Sequence, residues 1–309
     1  SDSLHFGGIS GIDMHNDTLF MLSDSGKLPR IFFSELTTDD NNIKLSSPQI
    51  YLDIKTPKGK YFDLESIRYL NKEEAFLISS EGNIKKNIET SIFKMDKEGK
   101  IVNEYQLPED YQIKNNRSKV IHNRAIEATT LNKDNTGFWF STEFPLRSEG
   151  KPPKLFRSGA NQQFLFYDIK KDKISRQFNY QLDPIPKIPL LPYSLNGLTG
   201  MLMIDPDKMI TLERGFSAGW GKHSNRVKLF LIKSDKDLSK ADQNSIKKYL
   251  LLDLKKIKKY LKADRIDNLE GICFGPSLAD GSVTILLISD DNFDAHNDQL
   301  SQIIWLKIH

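Results

Sequence analysis

The chain has 309 residues, 38% of them hydrophobic, and carries 44 Lys and Arg against 41 Asp and Glu, a net charge of +3. That balance, with no dense basic run interleaved with aromatics, argues against a nucleic-acid partner. The single cysteine, Cys273, excludes an internal disulfide and a cysteine zinc site, and no apolar run approaches the roughly 18 residues of a membrane helix.

Short β-branched and aromatic runs bounded by turn residues read as strands, and they fall into groups along the chain. The first group is Ile9 to Met14, Thr18 to Leu22, Arg30 to Ser34 and Ile50 to Ile54. The second is Glu65 to Leu70, Ala75 to Ser79, Ser91 to Met95 and Ile101 to Leu107. The third is Ile126 to Leu131, Gly137 to Ser141, Gln163 to Asp168 and Ser175 to Tyr180. The fourth is Leu198 to Ile204, Lys208 to Leu212, Val227 to Ile232 and Lys247 to Asp253. The fifth is Gly271 to Phe274, Thr284 to Ile288 and Gln302 to Lys307. Turn pairs such as Asn16-Asp17, Asp205-Pro206-Asp207 and Asp280-Gly281 separate them. Helical periodicity is confined to Leu254 to Leu261, inside a lysine-rich stretch at 236–265 that reads as a solvated insertion.

The first strands share a signature: Gly8 to Ile12, Asp63 to Ile67, Arg124 to Ala128, Asn196 to Gly200 and Asn268 to Ile272. The second strands end in Ser23-Asp24, Ser80-Glu81, Thr142-Glu143, Glu213-Arg214 and Ser289-Asp290-Asp291. A repeat on the order of 55–70 residues fits a four-stranded propeller blade. The expectation is an all-β chain forming a single β-propeller of four-stranded blades over residues 1–309. Five repeats are countable. Gly215 to Asp267 has room for a further blade, so the reading is five or six. Ser3 to Phe6 are placed to supply the outer strand that the fifth group lacks, which would close the ring and remove an open sheet edge.

In a blade the first strand runs down the axis and the second runs back. The start of the first and the end of the second therefore share one face. This gathers Glu65, Glu127, Asn196, Asn268 and Glu270 with Asp24, Glu81, Glu143, Glu213 and Asp291, joined by Arg124 and Arg214. So many carboxylates around a narrow axis cannot all stay ionised without compensation: some hold protons, or a cation binds. Oxygen donors point to a hard cation, hence calcium, with Glu65, Glu127, Glu270, Asn196, Asn268, Glu213 and Asp24 as candidate ligands. Glu127 or Glu270 would hold the ion or act as base, Arg124 and Arg214 would meet an anionic substrate, and Asn123, Glu81, Glu143 and Asp291 would contact it. Hydrogen bonding of loop backbone explains any one of these carboxylates equally well.

Other motifs carry less. Gly215-Phe216-Ser217-Ala218-Gly219 matches the nucleophile-elbow pattern, which needs a helix after it. Here Trp220-Gly221-Lys222-His223 follow and read as a loop, so a flexible glycine loop is expected here rather than a serine nucleophile, with Trp220 placed to line a pocket. His122 is read as a loop histidine, Trp139, Trp305 and Cys273 as core. Asn16-Asp17-Thr18 and Asn116-Arg117-Ser118 are glycosylation sequons. The chain opens almost at once on a first-blade strand, so a processed N-terminus is expected.

At these residues the chain resembles the phytase-like family described as having esterase-like activity, a β-propeller family. The matching stretches are Gly7 to Asp13, Leu22 to Asp24, Leu64 to Ile67, Ser79 to Gly82, Asn123 to Glu127, Thr142 to Leu146, Leu212 to Arg214, Asp267 to Ile272 and Ser289 to Phe293. Ala125 and Ala128 depart from it, standing where glycines are usual beside Glu127. The resemblance implies a secreted or periplasmic propeller that hydrolyses phosphate or carboxylic esters. Three functions compete: a calcium-dependent hydrolase of a small phosphate or related ester, a lactonase-like hydrolase with Asn196 and Asn268 as neutral ligands, and a non-catalytic propeller that binds a protein or glycan. A monomer is expected in each case.

Overall fold

In the computed structural model, described over residues 6–25, 28–39, 42–55, 62–113, 119–293 and 299–308, the strands form five antiparallel sheets. Blade one holds β1 (Ile9–His15), β2 (Thr18–Ser23), β3 (Arg30–Thr38), β4 (Ile43–Leu45) and β5 (Gln49–Asp53). Blade two holds β6 (Leu64–Leu70), β7 (Ala75–Ser80), β8 (Ser91–Asp96) and β9 (Ile101–Tyr105). Blade three holds β10 (Ile126–Leu131), β11 (Gly137–Thr142), β12 (Asn161–Asp168) and β13 (Lys173–Gln181). Blade four holds β14 (Ser194–Asp205), β15 (Lys208–Ser217), β16 (Asn225–Lys233) and β17 (Lys247–Asp253). Blade five holds β18 (Asn268–Phe274), β19 (Thr284–Asp290) and β20 (Ile303–Lys307).

The innermost strands β1, β6, β10, β14 and β18 touch in sequence, and β18 returns to β1. Alternation along each strand sends apolar side chains to both faces, and a hydrophobic core fills every gap between successive blades. Phe20 and Ile31 of blade one meet Ile67 and Phe76 of blade two. Trp139 and Phe178 of blade three meet Met201 and Met209 of blade four. Ile288 and Cys273 of blade five meet Ile9 and Met21 of blade one. The molecule is therefore a five-bladed propeller. The segment 215–267 supplies the outer half of blade four, not a sixth blade.

Among the described residues blade five has three strands. The outer strand expected from Ser3 to Phe6 falls largely outside the described residues, and Phe6 itself packs edge-on against Phe32, ring centroids 5.2 Å apart. The lysine-rich stretch is in part structural, since it contains β17. Its expected helix is instead a pair of three-residue 3-10 turns at Leu254–Lys256 and Lys258–Tyr260. Such a short run does not repay the cost of nucleating an α-helix. No helix among the described residues is long and apolar enough to cross a membrane.

The ring is tight at its centre. A Cβ on Gly11 would stand 3.0 Å from Ser66 Cα in the next blade, so only a residue without a side chain lets β1 and β6 approach there. The axis is also plugged. Arg68, 5% exposed, donates from Nε to Thr129 O (2.9 Å), from Nη1 to Ile12 O (2.8 Å) and Ile67 O (2.9 Å), and from Nη2 to Met201 O (3.0 Å). One guanidinium thus ties four innermost strands together.

Candidate functional site

Each innermost strand carries a one-residue bulge, near its start in four blades and at the sixth residue of β14. Pairing skips Ser10 in β1, Glu65 in β6, Glu127 in β10, Thr199 in β14 and Glu270 in β18. A bulge takes one residue out of the ladder and re-aims its side chain, so these five positions are equivalent. In the blades without an acid the hydroxyl becomes a staple: Ser10 Oγ donates to Leu64 O (2.6 Å) and Thr199 Oγ1 to Leu269 O (3.1 Å). Both carbonyls belong to residues immediately before a bulged glutamate.

The bulges correct the repeat alignment. Two of the sequence windows, those beginning at Arg124 and Asn196, are one residue out of step; the equivalent starts are Ala125 and Gly197. Facing the starts are the ends of the second strands. The backbone N–H groups of Asp24, Glu81 and Glu143 donate to Gly8, Asp63 and Ala125 (2.9, 2.8 and 2.7 Å), while Arg214 pairs with Gly197 and Asp290 with Asn268. The second ring is therefore Asp24, Glu81, Glu143, Arg214 and Asp290.

Several expected site residues lie elsewhere. Glu213 precedes Arg214 and points to the opposite face of β15. Its carboxylate accepts from Tyr180 Oη (2.7 Å), Lys248 Nζ (2.5 Å), Asn196 Nδ2 (2.7 Å) and the Asp183 N–H (3.1 Å). Glu213 and Asn196 thus belong to a network between blades three and four rather than to the axial cluster. Asp291 accepts from the Gly8 and Phe293 N–H groups (2.9 and 3.1 Å) and from Ser301 Oγ (2.9 Å), which makes it a loop-binding acid, with Asp290 in the ring position instead. Asn123 is exposed in a left-handed turn with φ 57°. Ser217 Oγ donates to Lys187 O (2.6 Å), a structural role.

Arg214 is the hub of the remaining cluster. Its Nη1 donates to Asn268 Oδ1 (2.5 Å) and to Glu270, and its Nη2 to Glu143 Oε1 (3.3 Å). Asn268 Nδ2 reaches the same Glu270 oxygen (2.8 Å). Gly197 is obligatory beside it, because a Cβ would lie 2.5 Å from Glu143 Cγ. Arg124 pairs with the other Glu143 oxygen, Nε to Oε2 3.0 Å, an ion pair without hydrogen-bond alignment, and donates from Nη2 to Tyr193 Oη (2.9 Å). Ala125 donates its N–H to Glu81 Oε1 (2.9 Å).

Two arginines thus serve Glu143 and Glu270. Asp24, Asp63, Glu65, Glu81, Glu127 and Asp290 form no ion pair among the described residues, and no hydrogen bond reaches the side chains of Glu65 or Glu127 there. Burial, then repulsion from Glu270 and Asp63, lifts Asp24 to about 7. Burial, then Glu143 and Asp63, lifts Glu81 to about 8, and burial with Glu270 lifts Asp290 to about 8. Glu65 and Glu127 are raised well above the usual carboxylate range by burial and by their acidic neighbours. Arg214 is raised further into its charged form: Glu270, Glu143 and Glu127 outweigh its own burial.

Asp63, Glu65 and Glu81 each offer an oxygen, and these atoms lie within 4.8 Å of one another. That span is about twice a calcium–oxygen distance of roughly 2.4 Å. The donor set is all oxygen and carries surplus charge, so these residues fit a hard cation. Asp63 was not among the expected ligands. Its signal in the sequence, an acid two residues before Glu65, is indistinguishable from an ordinary turn aspartate.

No protein of curated function matches the sequence. Among solved structures the chain is similar to an exo-1,5-α-L-arabinanase from a bovine ruminal metagenomic library, at 11% identity and TM-score 0.49 over 98% of this chain and 93% of that one. It is similar to an endo-1,4-β-xylanase from Bacteroides thetaiotaomicron, at 11% identity and TM-score 0.49 over 100% and 97% of the two chains. It is also similar to the hydrazine synthase of Kuenenia stuttgartiensis, at 11% identity and TM-score 0.43 over 98% and 89%. The family described as phytase-like, esterase-like activity of phytase, matches residues 4–293, and with the propeller and its repeated glutamate bulges in place, the chain belongs to the phytase-like family.

Proposed function

We propose that the mouth of the axis is the active site of a calcium-dependent hydrolase acting on a small phosphate or carboxylic ester. The observation that carries the reading is the set of six carboxylates around one axis that form no ion pair among the described residues. Such a surplus is unfavourable unless protons or a cation compensate it. Asp63, Glu65 and Glu81 would hold the ion, with Asp24 and Glu127 adjoining. A bound divalent ion supplies Lewis acidity toward an ester oxygen and acidifies water.

The chain's own residues divide the remaining work. Glu127 has no hydrogen-bond partner among the described residues, so its carboxylate is free to take a proton from an attacking water. Glu270, tied to Arg214 and Asn268, orients the arginine instead. Arg214 and Arg124 flank Glu143 from two sides and give an anionic substrate a positive edge, with exposed Asn123 beside it. Membership of the family supports ester hydrolysis as the reaction class, and we place the protein outside the cytoplasm as a monomer.

A second reading has one observation in its favour. Ile188, Leu190, Leu191 and Tyr193 are exposed in the loop before β14, at 59, 62, 59 and 51%. An apolar rim of this kind suits a propeller that binds a protein or glycan and catalyses nothing. Thermal unfolding in EDTA, followed by calcium or magnesium, tests the first reading. A calcium-specific rise of about 5 °C corresponds to saturation near a hundredfold over Kd, and aryl phosphate and aryl carboxylate assays then identify the ester. No shift with either ion removes the metal-dependent hydrolase. A calcium shift with no turnover of either ester favours the binding propeller.

A further inference from the structure

A second concave site lies beside the axial cluster, and its character is opposite. It is a cleft of about 320 Å³ whose lining includes Pro186, Lys187, His223, Arg226, Lys255 and Lys258 and, among the described residues, contains no carboxylate. These residues come from four places in the fold: the loop before β14 (Pro186, Lys187), the loop between β15 and β16 (His223), the start of β16 (Arg226), and the 3-10 turns after β17 (Lys255, Lys258). Arg226 pairs with Gly215 in the ladder, one residue beyond Arg214, so the cleft adjoins the outer side of the Arg214 corner.

The cations are held in place. Lys187 Nζ donates to His223 O (2.9 Å) and sits 3.6 Å from the centre of the Trp220 ring. Lys258 Nζ lies 3.3 Å from His223 Nδ1; an ammonium can only donate, so this ring nitrogen accepts. Arg226 is neutralised by a two-pronged contact with Asp253, Nε to Oδ1 at 2.8 Å and Nη2 to Oδ2 at 2.5 Å, and Asp253 also accepts from the Lys255 N–H (3.0 Å). Asp253 is thereby fully engaged. Among the described residues Lys187, Lys255 and Lys258 form no ion pair, so they bring positive charge to one concavity. Burial, with Lys258, Arg226 and Lys255 close by, lowers Lys187 from its usual range. Like charges gathered this way are stabilised by an anion between them.

We propose that this cleft binds a phosphate-class oxyanion, its oxygens met by Lys187, Lys255 and Lys258. Three ammonium groups brought together from two segments, the loop before β14 and the turns after β17, suit a tetrahedral group with several acceptor oxygens better than a planar one with two. The site uses none of the axial carboxylates and needs no metal, so it stands apart from the hydrolase reading.

Calorimetric titration of the full chain with inorganic phosphate, at low ionic strength and in EDTA, tests it. The expected result is saturable binding that Lys187→Ala with Lys258→Ala weakens about tenfold or more, the usual size of a lost charged hydrogen bond. Lys255→Ala, which removes no side-chain hydrogen bond, weakens it less and lowers its salt dependence. Glu65→Gln leaves it unchanged. Absence of binding at millimolar phosphate, or binding indifferent to all three lysines, overturns the proposal. So does binding that appears only when calcium replaces EDTA and is lost in Glu65→Gln, which would put the phosphate at the axial cluster.

Discussion

At its mouth the axis carries six carboxylates that form no ion pair among the described residues. Three residues deeper along β6, about 10 Å at the rise of a strand, it carries Arg68, whose donors meet carbonyls of four blades. Innermost strands β6 and β10 contribute to both layers, through Glu65 and Glu127 above and Ile67 and Thr129 below. Ile12, Ile67 and Thr129, with Met201, each stand two residues beyond the bulge of their own strand. The deeper layer is a closed polar network, and such networks stabilise and specify a core. The upper layer is left short of partners, as expected where something outside the chain completes it. The difference separates an axial group whose partners come from within the chain from an axial set that protons or a cation must compensate.

The comparison breaks most visibly at Arg68. Arg68→Ala leaves several buried carbonyls without a donor and should destabilise the protein by about 3–5 kcal/mol. Urea unfolding measures it. A loss below about 1 kcal/mol would mean water replaces the guanidinium and the deeper layer is no more closed than the upper one. Glu127→Gln acts on the upper layer and should do the reverse. It removes a carboxylate repelled by Glu143 and Glu81, so the melting temperature holds or rises, while ester turnover falls about 100-fold, near 2.7 kcal/mol. Unchanged turnover would take Glu127 out of the chemistry.

The fold was largely legible because each blade repeats two local signals, alternating strands and turn pairs, and the strand positions from Ile9 to Lys307 hold to within a few residues. The exceptions are informative. Ile43–Leu45 is too short to display alternation. The 254–261 stretch has helical spacing, but Leu254 is its only fully buried anchor. The axial site was legible as a cluster but not residue by residue. A bulge shifts register by one, and nothing in the one-dimensional pattern marks it, so Glu213 and Arg214 could not be told apart by position, nor Asp290 and Asp291. One member of each pair faces the axis and the other binds loops or the next blade. Arg68 left no signal at all: a lone arginine in a strand reads as an outward-facing residue until the ring closes around it.

The smallest effect concerns pH, and its sign is set by the raised carboxylates at the mouth of the axis. Burial and neighbouring acids hold Asp24 at about 7 and Glu81 and Asp290 at about 8 in the folded chain, against 3.8 for Asp and 4.5 for Glu when unfolded. Near pH 4 and below, both states keep these protons and the contribution to stability is whole. As pH rises toward 8 the unfolded chain releases protons that the folded chain retains, so stability falls, and the loss is complete once the folded groups ionise as well. Asp183, which Lys248 and Lys228 draw below the usual range against its own burial, has the opposite sign but acts at more acid pH, outside this window. In EDTA, unfolding free energy should therefore decline from pH 5 to 8.5, and Asp290→Asn should recover about 1–2 kcal/mol at pH 8.5 and almost nothing at pH 4. Calcium should flatten the decline, because ligation requires the ionised form of the same carboxylates. A stability that instead climbs from pH 5 to 8.5 in EDTA, with Asp290→Asn indistinguishable from the parent, would mean that the mouth of the axis is compensated from within the chain, as the Arg68 layer is.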